Sequence, residues 1–164
     1  MDFEATASTK NNSTDADNAS LSAKDGVDAI INMSAATGSS GAFKLTGGTG
    51  QDSLTGGAGA DIISGGSEVD TIVGGGEADV ITGGAGDDNL TGDAGNDTFH
   101  VDSGSDIITD LGGTAGGQSD VLIVYATATA NATNVVNFTA LNTTKNDSSD
   151  ASNACLLYTS PSPR

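Results

Sequence analysis

The sequence predicts an all-β fold: a right-handed parallel β-roll, a solenoid of short stacked strands. Three observations point there. Residues 47–109 divide without a gap into seven units of nine. Each unit opens on residues that favour tight turns and closes on Ile, Leu, Val, Thr or Phe, which suit a short strand. No segment sustains the apolar spacing of an amphipathic helix.

The composition narrows the function classes. Of 164 residues, 22 are Asp or Glu and 5 are Lys or Arg, a formal net charge of -17. Such acidity argues against nucleic acid and anionic membranes, which are bound through clustered basic side chains, and favours a cation as partner. With 24 glycines and 4% aromatics, a dense conventional core is not expected. The length allows one domain or part of a larger one. No apolar run approaches the roughly 18–20 residues of a membrane span. The first ten residues lack the basic and apolar regions of a secretory leader, and the lone Cys155 excludes an internal disulfide. Between Lys44 and Lys145 lie 100 residues with no Lys or Arg and 14 carboxylates.

Those carboxylates are in phase. The units read GGTGQDSLT, GGAGADIIS, GGSEVDTIV, GGGEADVIT, GGAGDDNLT, GDAGNDTFH and a decayed VDSGSDIIT. Position six is always aspartate: Asp52, Asp61, Asp70, Asp79, Asp88, Asp97 and Asp106. Position eight is always large and apolar: Leu54, Ile63, Ile72, Ile81, Leu90, Phe99 and Ile108. This pattern resembles the calcium-binding nonapeptide GGxGxDxUx of the RTX family. The resemblance implies a parallel β-roll with calcium ions between stacked turns.

The physical logic runs alongside. Glycines permit positive φ and close backbone approach, so positions one to four are expected to form a tight turn with exposed carbonyls, and positions seven to nine the strand. The position-eight side chain points inward, and two nonapeptides make one coil. Stacking then aligns Asp52, Asp70, Asp88 and Asp106 in one ladder and Asp61, Asp79 and Asp97 in the other. Two carboxylates about 5 Å apart repel by roughly 3 kcal/mol at an effective dielectric of 20. A hard dication between coils reverses that sign. Calcium suits the flexible oxygen geometry better than magnesium. The expected ligands are the seven aspartates with the turn glycines Gly47, Gly56, Gly65, Gly74, Gly83 and Gly92, holding up to about five Ca2+ ions by spacing at one coil, ~4.8 Å. Glu68 and Glu77 replace the position-four glycine and read either as extra ligands or as solvated turn positions. Asp93 replaces a second glycine, and Val101 and Asp102 replace both leading glycines of the last unit.

Four segments follow. Residues 1–46 are a Thr/Ala/Asn-rich flank expected to hold short solenoid strands; 47–109 are the calcium-binding block. Residues 110–154 carry closing strands, with runs such as VLIVY and NVVNF, and begin a new period. Residues 3–19 and 138–154 agree at ten of 17 positions at an offset of 135, fifteen nonapeptides long. Tandem units of this kind resemble bacterial surface-layer proteins and large RTX adhesins. Residues 155–164 resemble a translated sequencing adapter, so the native sequence is expected to continue past Ala154 close to Ser-Leu-Ser-Ala, as at residues 20–23.

No nucleophile elbow, HExxH or phosphate loop is present, and the only histidine, His100, reads as a strand-end surface residue. The chain is therefore not expected to be an enzyme. Two readings stay open: a secreted or cell-surface structural or adhesive array, and the folding and secretion module of an RTX enzyme or toxin. In both, calcium is the cofactor and export by type I secretion is implied by the resemblance. Neighbouring repeats are the expected partners, with cell-surface or matrix components in the first reading.

Overall fold

The computed structural model describes residues 2–5, 10–11, 20–23, 26–35, 41–109, 111, 120–125, 128–132, 137–140 and 145–146. The adapter-like residues 155–164 lie outside the described residues. All regular structure among the described residues is strand. In chain order the strands are β1 (Asp2–Ala5), β2 (Lys10–Asn11), β3 (Ser20–Ala23), β4 (Ile30–Asn32), β5 (Lys44–Thr49), β6 (Ser53–Thr55), β7 (Ile62–Ser67) and β8 (Thr71–Gly76). They continue as β9 (Val80–Ala85), β10 (Asn89–Ala94), β11 (Thr98–Val101), β12 (Ser105–Ile108), β13 (Val121–Val124), β14 (Thr129–Ala132), β15 (Asn137–Ala140) and β16 (Lys145–Asn146).

Odd-numbered strands form one eight-stranded sheet in sequence order, and even-numbered strands form the other. Every pairing is parallel, so the chain alternates between sheets and advances one strand position per coil, the arrangement of a parallel β-roll. Within the repeat block each residue pairs with its counterpart two nonapeptides on, as in Leu45↔Ile63↔Ile81↔Phe99 and Leu54↔Ile72↔Leu90↔Ile108. These position-eight side chains are buried, and Leu21, Ile31 and Leu122 extend their columns into the flanks. Burying each such side chain contributes about 1.5–3 kcal/mol. In the flanks of the nonapeptide block lie β3, β4, β13 and β15, while residues 133–136, which include most of the NVVNF run, are outside the described residues.

One expectation is corrected. In most units positions one to four do not form the turn. β5, β7, β8 and β9 each run from position seven through position three of the next unit, so their glycine pair lies inside the strand and the bend falls at positions four to six, whereas Gly56 and Gly57 follow the end of β6. The physical reason is the stacking of like on like. The second glycines Gly48, Gly66, Gly75 and Gly84 all have positive φ, from 105° to 123°. Gly48, Gly66 and Gly84 lie in register, so a bent backbone still finds its partner in the coil above. The alternation of the pleat then sends positions six, eight and one inward: aspartate, apolar residue and glycine. The position-one glycines are thus interior residues rather than exposed turn residues.

Candidate metal centre

All seven position-six aspartates are buried, none more than 3% exposed, and an eighth, Asp120, joins them at 0%. They stand in two columns. In one, the backbone N–H groups of Ala29, Asp52, Asp70 and Asp88 donate to Oδ1 of Asp52, Asp70, Asp88 and Asp106 respectively, at 2.7–3.1 Å. In the other, Phe43, Asp61, Asp79 and Asp97 donate to Asp61, Asp79, Asp97 and Asp120 at 2.7–2.8 Å. One carboxylate oxygen thus replaces a backbone carbonyl as the link between coils. Both predicted ladders are present in the predicted order.

Asp120 escaped the sequence reading because its spacing from Asp106 exceeds one nonapeptide by five positions. Its signal was the local Asp-Val-Leu, which keeps the aspartate two residues before an inward Leu122. Ala29 and Phe43 hold the aspartate position in the coils below and end both columns with apolar side chains.

The second oxygen is placed differently. Oδ2 of Asp52, Asp70, Asp79, Asp88 and Asp106 is buried with no hydrogen-bond donor, whereas Oδ2 of Asp61 accepts from the Gly57 N–H at 2.6 Å. The position-one glycines explain the room these oxygens have. A Cβ on Gly47, Gly56, Gly65, Gly74, Gly83 or Gly92 would strike Oδ2 of the aspartate five residues on. The same points are crowded by the carbonyls of Gly65, Gly74, Gly83 and Gly92 from the next coil, at 2.7 Å for Gly83 and 2.9 Å for Gly92. At Gly83, Oδ2 of Asp106 also comes within 3.2 Å of that point. Carboxylate and carbonyl oxygens therefore lie near the same points, and Oδ2 of Asp52, Asp70, Asp79 and Asp88 has no N–H there. Two acceptors facing one another in a buried site are compensated by a proton or a cation.

Electrostatics agree. Burial is the first cause that pushes Asp70 and Asp106 up to about 7 and Asp79 up to about 8, opposed by the N–H each accepts. Repulsion from ladder neighbours adds to the rise: Asp88 and Asp52 on Asp70, Asp61 and Asp97 on Asp79, Asp88 on Asp106. Asp52, Asp61 and Asp88 are raised by burial as well.

The donor set is all oxygen, hard and partly anionic, which fits calcium and offers nothing to a soft metal. Among the described residues no group of three or more His, Cys, Asp or Glu side chains is gathered around one point. A cation here would be held by ladder carboxylates together with backbone carbonyls. Glu68, Glu77 and Asp93 are exposed and take left-handed φ values of 75°, 65° and 64°. His100 is half-buried and stacks on Tyr125, its Nδ1 3.0 Å from the phenol oxygen, away from the ladders.

A family model described as the RTX calcium-binding nonapeptide repeat (4 copies) matches residues 37–72 and again 73–108. Residues 37–108, 72 of the chain's 164, thus carry RTX calcium-binding nonapeptide repeats. The match begins before Gly47 and takes in GSSGAFKLT, a unit with Phe43 in the aspartate position. No curated protein matches the chain, and no solved structure does. Among the described residues no helix is long and apolar enough to cross a membrane.

Proposed function

We propose that this segment is a calcium-binding repeat of a secreted or cell-surface bacterial RTX protein, of the adhesin or surface-layer type, whose roll folds when the chain meets extracellular calcium. The observation that carries the reading is the pair of buried aspartate columns in which Oδ2 of Asp52, Asp70, Asp79, Asp88 and Asp106 has no hydrogen-bond donor, with glycine carbonyls of the next coil crowding the same points at Gly47, Gly65 and Gly74. Asp52, Asp61, Asp70, Asp79, Asp88, Asp97 and Asp106 are the proposed side-chain ligands. Asp120 is added to them, and the carbonyls of Gly65, Gly74, Gly83 and Gly92 lie nearest their oxygens. Asp120 raises the number of intervals between successive carboxylates to six, three in each column.

The role follows from the charge. Residues 47–109 hold 12 carboxylates and no Lys or Arg, so metal-free stacking is opposed at each coil. Calcium binds only the stacked state and stabilises it by mass action. In a low-calcium cytoplasm the chain stays open; outside, it closes into a stiff rod. The self-similarity between residues 3–19 and 138–154 favours a structural array over a module serving a catalytic domain. Circular dichroism of the chain in excess chelator, followed through a calcium titration, tests the reading. A β signal is expected to appear with calcium. A β-rich spectrum in chelator that calcium leaves unchanged would overturn it.

A further inference from the structure

The two ends of the roll are the same coil. β1 and β15 stand at the sequence offset of 135 along their whole length, and so do β2 and β16. β1 and β15 are the two edges of the odd sheet; β2 and β16 are the two edges of the even sheet. In the odd sheet the register passes Asp2↔Ser20↔Lys44↔Ile62↔Val80↔Thr98↔Val121↔Asn137 and so returns to an equivalent residue after one full offset. In the backbone register Phe3 pairs with Leu21 and Phe138 with Leu122. In the even sheet Lys145 returns two residues short of a continuous register, and a two-residue shift keeps the same face of the pleat.

Parity makes this informative. The offset of 135 equals fifteen nonapeptides, and fifteen half-coils would put successive copies in opposite sheets. The fold spends the length on fourteen strands instead. Four pairings around the repeat block exceed the two nonapeptides of a regular coil by five or six positions: Ser20↔Lys44, Ile30↔Ser53, Thr98↔Val121 and Ser105↔Thr129. The offset is therefore a whole number of coils, seven, and returns to the same sheets from which it started.

We infer that the coil of β15 and β16 is a joint: it closes one copy of the unit and opens an identical one, so tandem copies form a single uninterrupted roll. The partner of this edge is the β3 and β4 coil of the next copy. Each copy then advances the rod by about 34 Å, seven coils at ~4.8 Å, and presents its aspartate columns on the same side. This rests on the array reading above and specifies its geometry.

The test is a tandem chain in which residues 1–135 precede the full 164-residue chain, with Cys155→Ser and Ile62→Cys in both copies. Ile62 is 54% exposed on the outer face and accepts a spin label. In calcium, electron–electron distance measurement is expected to give one narrow distribution near about 34 Å, the seven-coil advance at ~4.8 Å per coil. A broad or much longer distribution, while circular dichroism shows both copies folded, means separate rolls and overturns the joint but leaves the calcium reading intact. If the single chain gains no β signal with calcium, the calcium reading fails and the joint falls with it.

Discussion

At the residue scale the position-one glycine and the position-six aspartate act as one device. The aspartate turns inward to link coils through Oδ1, and in the six units that glycine leads a Cβ at position one would strike its Oδ2; Val101 leads the seventh, whose Asp106 is buried all the same. Gly65→Ala is therefore expected to cost about 1–3 kcal/mol in calcium by overpacking. Gly76→Ala, whose Cβ would meet the Ala58 carbonyl oxygen at 3.3 Å rather than strike it, is expected to cost less than Gly65→Ala. Thermal melts of the two variants in the same calcium concentration separate them, and equal melts would remove the steric role. Glu68 and Glu77 hold left-handed backbone at positions made for glycine, at about 1–3 kcal/mol each. Glu68→Gly is expected to raise the melting temperature without weakening calcium binding. A clear loss of affinity by calorimetry would instead assign Glu68 as a ligand. The sequence already named these residues as departures; their φ values show what the departure costs in geometry.

At the element scale the unit of behaviour is the ladder. Asp70 and Asp88 each accept from the coil before and donate to the coil after, with a carboxylate neighbour on both sides. Asp70→Ala leaves the Asp52 N–H buried without its acceptor, worth about 1–3 kcal/mol, and removes a proposed ligand from two intervals. Asp106→Ala, at the column's end beside Ala130, is expected to shift the calcium midpoint less. Calcium titrations of both variants check the order. The ladder also sets the pH response. In metal-free protein the folded pKa values of Asp70, Asp79 and Asp106 lie at about 7, 8 and 7, above the unfolded carboxylate value. A raised carboxylate favours the folded state while protonated, so the contribution is complete below the unfolded value, about 3.9. It is lost as pH rises through about 7 to 8. In chelator, roll content is expected to be highest in acid and to fall towards pH 8. In calcium the dependence reverses, because metal and proton compete for the same oxygens. Circular dichroism across this range, with and without chelator, reads both slopes; parallel slopes would refute the competition.

At the scale of the whole molecule, stability is concentrated in the middle. The coils of residues 47–109 repeat strictly every two nonapeptides and carry most of the buried aspartates, whereas the flanking coils vary in length. Calcium-dependent folding is expected near 10⁻⁴–10⁻³ M, the range of extracellular calcium modules. Hydrogen exchange at saturating calcium should protect β7 to β10 most, with protection falling towards β3 and β13. Uniform protection that survives chelation would contradict a metal-driven roll.

The sequence by itself determined the all-β class, the nine-residue unit, the inward apolar column and the two aspartate ladders. Each follows from strict periodicity, because identical short segments can satisfy their backbone only by stacking on one another. Tertiary structure alone decided that the strand passes through the glycine pair, since that depends on each bent residue finding its twin one coil away. It also decided that Asp120 completes a column, because register in space ignores the five extra residues that break the period along the chain. The same holds for the 135-residue offset, whose two ends, β1 and β15, fall in one sheet. A residue count gives fifteen nonapeptides, but how many strands that length becomes depends on how much of it the flanking coils take up between strands.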